Sequence, residues 1–132
     1  MGKYSAEIAS CNHQIHWKRM NIRAWNDQIA LLNSSKNSIK NHLKSLEAKT
    51  TELTNQKDLN SGNFIGDRRD DFNTKVATLS TSISNWQTAS ESNLHLIAQK
   101  IVSLENKIAN EWSAIAQLND QIAWYRLAES MD

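Results

Sequence analysis

The stretch Ile8-Ala9-Ser10-Cys11-Asn12-His13-Gln14-Ile15-His16-Trp17-Lys18-Arg19-Met20-Asn21-Ile22-Arg23-Ala24-Trp25 decides the fold. Steps of three and four alternate along it, from Ile8 to Cys11, Ile15, Lys18, Ile22 and Trp25, and only Lys18 breaks the apolar series. That is the 3.5-residue repeat of a helix packed lengthwise on another helix. Followed outward, the repeat starts at Tyr4 and runs on through Ile29, Leu32, Lys36, Ile39, Leu43, Leu46, Thr50 and Leu53. Nothing breaks it, because the 132-residue chain contains no proline and only three glycines.

Punctuation comes next. Asn60-Ser61-Gly62-Asn63 reads as a turn, Phe64-Ile65-Gly66 follows, and Asp67 can cap a second helix whose first turn is acidic. The second repeat passes through Phe72, Val76, Leu79, Ile83, Trp86, Ser90, Leu94, Ile97, Ile101, Leu104, Ile108, Glu111, Ile115, Leu118, Ile122 and Tyr125. Its steps from Ile83 to Leu94 read three, four, four, a slip around Ser90 that predicts local straightening of the second helix. If the chain folds back near Phe64, facing residues have numbers summing to about 129 or 130, since two antiparallel helices rise equally. The two repeats obey this rule: Ile8 faces Ile122, Ile15 faces Ile115, Ile22 faces Ile108, Leu32 faces Ile97, and the polar Lys18 faces Glu111. Opposite charges at that place fix alignment more than they stabilise.

The expectation is all-α: one elongated antiparallel two-helix hairpin over 1–132, coiled-coil-like, with helix 1 at about 4–58, the turn at about 59–66 and helix 2 at about 67–129. At 1.5 Å per residue each arm would extend on the order of 80 to 90 Å. Such a hairpin buries a single seam, and the composition agrees: hydrophobic residues are 39 % and aromatics 7 %. Yet Trp17, Met20, Trp112 and Trp124 fall off that seam. Large aromatics without a core to enter point to an interface, so Trp17, Trp112 and Trp124 are the candidate partner contacts with which the hairpin completes a helical bundle. A homodimer that closes a four-helix bundle would use the same residues.

Other functions lose support. With 15 Lys and Arg against 14 Asp and Glu, the net charge of +1 supplies no field for nucleic acid or an anionic membrane. The basic run Lys36, Lys40, Lys44 and Lys49 lacks aromatic stacking partners and reads as a solvated face. No window is apolar enough for a membrane span, and no cleaved signal peptide is expected. Cys11, His13 and His16 lie within reach of one helix face, but Cys11 belongs to the seam and no acidic ligand is near. They read as a small buried residue and surface histidines; no metal, cofactor or catalytic residue is assigned, and the chain is expected not to be an enzyme.

Two long helices about a short turn, with Phe64-Ile65-Gly66 where a Trp-x-Gly would stand and with Arg69 and Phe72 in the following helix, resemble the WXG-type (ESAT-like) small proteins of type VII secretion. The longer branch of that superfamily, the small helical proteins associated with LXG toxins in Gram-positive bacteria, is the nearer likeness. Phe64 departs from the signature Trp but keeps an aromatic plug, and Gly66 keeps a permissive backbone. Tyr125 and Glu129 have the Tyr-x-x-x-Asp/Glu spacing that the superfamily uses as an export signal, although Tyr125 also fits the seam opposite Tyr4. The resemblance implies a targeting factor or chaperone that packs on the helical N-terminal domain of an LXG toxin, alone or with a second small helical protein. It further implies residence in the cytoplasm of the producer and export without a cleaved signal peptide.

Overall fold

The computed structural model describes residues 2–59 and 67–131, and the side chains of all of these except 56–59 and 67–69. Two helices, α1 (Ser5–Leu59) and α2 (Asp67–Met131), pack against each other. No glycine occurs within Ser5–Leu59 or Asp67–Met131, so neither helix carries the entropic cost of an internal glycine. Threonine is a weak helix former, and here it is accommodated locally. The hydroxyls of Thr50, Thr54, Thr78, Thr81 and Thr88 each donate to the carbonyl four residues back, at 2.8 to 3.1 Å. The turn residues Phe64, Ile65 and Gly66 lie outside the described residues.

The chain divides into two compact units. The first joins the N-terminal half of α1, to Leu32, with α2 from Gln99 onward. Its core is the predicted seam: Cys11, Ile15, Ile22, Ile115, Leu118 and Ile122 are buried, with Ile8, Ile108 and Tyr125 packed against them. Leu104, 1 % exposed, is the most enclosed side chain among the described residues. Burying each such aliphatic side chain contributes about 1.5–3 kcal/mol, and strict alternation of Ile and Leu with polar residues confines that gain to one face. Inside this seam Lys18 Nζ donates to Glu111 Oε1 at 3.3 Å, as the register requires, and Asn21 Nδ2 donates to Glu111 Oε2 at 3.3 Å. A one-turn shift would separate that trio, so it fixes alignment.

The second unit comprises residues 33–98. On α1, Lys36, Ile39, Leu43, Leu46, Thr50 and Leu53 are the half-buried positions, as the repeat predicts. On α2 the expected register fails in one place. Leu79 is 49 % and Trp86 45 % exposed, whereas their neighbours Ser80 and Gln87 are half-buried and Ser90 is buried. The inward series is Val76, Ser80, Ile83, Gln87, Ser90, Leu94 and Ile97, an unbroken alternation of four and three. The inward series therefore carries no slip at Ser90. The physical reason lies in α1, whose repeat has no matching irregularity: its side chains keep their holes only if α2 holds a constant 3.5-residue period. The helix holds that period at the cost of turning two large apolar residues outward.

Candidate partner-binding surface

In heptad notation Ile15 and Ile115 occupy a positions, and Lys18 and Glu111 occupy d. In an antiparallel pair the e positions of the two helices flank one edge of the seam, and the g positions, with c beside them, flank the other. Trp17 and Trp124 then fall at c and Trp112 at e. The three tryptophans that sequence offered as one interface are divided between two sides of the first unit. All are substantially exposed, Trp17 by 56 %, Trp112 by 49 % and Trp124 by 59 %.

Their surroundings differ. Trp17 Nε1 donates to His13 Nε2 at 2.9 Å, and His16 meets the Trp17 ring edge-on with centroids 5.6 Å apart. His13 and His16 thus hold an exposed indole in place, which gives those histidines a structural use. Trp124 belongs to an aromatic group with Tyr4, 5.9 Å away, and Tyr125, 5.3 Å away. Cys11 is buried, and its Sγ donates to Gln121 Oε1 at 3.7 Å.

The two residues of the C-terminal motif are both engaged. Tyr125 is half-buried, with its ring 5.1 Å from Tyr4. The Tyr4 backbone N–H donates to Glu129 Oε1 at 2.7 Å, while the Tyr4 carbonyl accepts the first bond of α1, from Ile8 N–H at 2.9 Å. Tyr4 is therefore the N-cap of α1, and Glu129 serves it as a glutamate at the third helical position serves a capping box, except that it reaches over from α2. The negative carboxylate at the positive end of α1 adds to the stabilisation. Gly2 lies so close to this carboxylate that any side chain there would collide with it.

In the second unit the outward Leu79 and Trp86 are g positions and the exposed Leu96 is a c position, so all three line one edge of α2. Beside Trp86, side chains of both helices enclose an open groove of about 460 Å³ floored by Leu46 and Ile83, with His42 and Lys49 along the α1 side. Sequence reading missed this surface because it assigned Leu79 and Trp86 to the seam. The signal was the apparent slip itself: an apolar pair that breaks a strict period belongs to a second stripe beside the first.

These features define a class: a small helical hairpin with a filled, register-locked seam and exposed apolar residues along its edges, containing no helix, among the described residues, apolar and long enough to cross a membrane. A family model matches residues 6–126, nearly the whole chain. The chain belongs to the YwqH-like family, small helical proteins linked to LXG toxin systems. Comparison with curated proteins and with solved structures gave no match.

Proposed function

We propose that the protein is a non-enzymatic targeting factor or chaperone that packs lengthwise on the helical N-terminal domain of an LXG toxin and promotes its export by a type VII secretion system. The observation that carries this reading is the pair Trp17 and Trp124, exposed on the same edge of the first unit in a family linked to LXG toxins. Exposed aromatics of this size are what a partner helix buries with most gain in free energy. Trp112, on the other edge, is the place for a second small helical protein. In this reading Tyr125 and Glu129 form the export signal together with the N-terminus of α1, because the carboxylate is bound to Tyr4. The hairpin resides in the cytoplasm of the producer until the complex is exported.

Truncation after Trp124 is the test. Toxin export should be lost while the truncated chain still co-purifies with the toxin domain; loss of binding would show instead that the tail belongs to the interface. A stable homodimer indifferent to every toxin domain would support the self-associating coiled coil and refute the adaptor.

A further inference from the structure

We propose that the groove of the second unit is a separate docking site for one amphipathic partner helix carrying acidic residues along one flank. The inference goes beyond the function proposed above, since it rests on none of Trp17, Trp112 or Trp124.

Three observations converge on it. First, Leu79, Trp86 and Leu96 are exposed on one edge of α2 at the spacing of a second heptad stripe, Leu79 and Trp86 seven residues apart and Leu96 three past the next repeat. They span about 25 Å of helix, the length over which a partner helix of some 17 residues stays in contact. Heptad spacing selects a helix as occupant, because only a helix returns a side chain to the same edge at that interval. Second, α2 carries no charged residue from Val76 to Ser90, and the small Ser82 and Ala89 stand between the large apolar residues. A covering helix can approach closely there without desolvating an ion, which matches the depletion of charge at interface centres. Third, one charged group lines the groove, the Lys49 ammonium, with His42 seven residues before it on α1, and no acidic side chain lines it. A second copy of this chain would bring the same groove, with the same His42 and Lys49 and no acid. A foreign helix with Asp or Glu along the α1-facing flank supplies the missing charge.

The test uses the full chain in the producing bacterium, with the photo-crosslinking amino acid p-benzoylphenylalanine placed at Ala89, beside the groove, or at Asn85, on the outer face of α2. The adduct at position 89 should map to one partner segment with an apolar heptad repeat and Asp or Glu on one flank. Position 85 should give none. Lys49→Glu, an exposed change that leaves the seam intact, should lower the yield at position 89 about fivefold by setting like charges together. The proposal is overturned by no adduct at position 89, by equal yield at 85, by an adduct with a second copy of the chain, by a captured segment without acidic residues, or by indifference to Lys49→Glu. An acidic amphipathic helix captured from a protein that is not an LXG toxin would uphold the groove and leave the function proposed above, which rests on Trp17 and Trp124, to its own test.

Discussion

Exchanging one residue on each of two neighbouring stripes of α2 tests the register of the second unit. Gln87 is half-buried in the seam, and Leu79 is half exposed beside it. Gln87→Leu puts an aliphatic side chain of similar length into the seam; half of the roughly 1.5–3 kcal/mol for full burial of leucine gives a gain of about 1 kcal/mol. Leu79→Gln removes an apolar side chain that is only half covered, so the same reasoning gives a loss of about 1 kcal/mol. The double variant should then lie close to wild type. Urea unfolding followed by far-ultraviolet circular dichroism measures all three, and with a slope of about 1–3 kcal/mol/M each single change should move the midpoint by about 0.3 to 1 M, in opposite directions. If the seam instead ran through Leu79 and Trp86, Gln87→Leu would bring no gain and Leu79→Gln would cost about 2–3 kcal/mol, leaving the double variant as unstable as the single. That outcome would refute the register and with it the second stripe.

Leu104→Ala should cost about 2–5 kcal/mol in the same assay, because the most enclosed side chain of the seam leaves a cavity that two long helices collapse poorly. Lys18→Ala leaves the Glu111 carboxylate with Asn21 as its remaining donor; a loss of about 1–3 kcal/mol is expected, and the loss should shrink in the double variant with Glu111→Ala. Gly2→Val drives a side chain against Glu129, so hydrogen exchange at Tyr4 should quicken while the amides around Ile15 and Ile115 stay protected. Trp17→Ala should leave folding within about 0.5 to 1 kcal/mol of wild type, given its exposure, yet weaken toxin-domain binding by about tenfold or more if the indole is an anchor of the interface.

Much of the fold was legible because a seam is a one-dimensional signal. Every expected inward position on α1, from Tyr4 to Leu53, is buried or half-buried, and the pairing sum alone sets Lys18 against Glu111. The misreading around Ser90 has a specific origin. Apolarity does not prove inwardness: Leu79 and Trp86 are more hydrophobic than the Ser80 and Gln87 that face α1. Rigid helical geometry outweighs the preference of a few side chains, as the constant period of α1 requires. The C-terminal cap was illegible for another reason. A capping box is recognised by residues three apart, whereas Tyr4 and Glu129 are joined only by the fold. Trp17, Trp112 and Trp124, read as lying off the seam, are exposed, but the sequence did not divide them by edge; that division follows once the a and d positions are fixed.

Native mass measurement of the chain co-expressed with the helical N-terminal domain of an LXG toxin from the same bacterium addresses the central claim most directly. The account predicts a stable complex of defined ratio that contains the toxin domain and dissociates when Trp17 and Trp124 are both changed to alanine. A homodimer, or a free monomer beside an uncomplexed toxin domain, would contradict it.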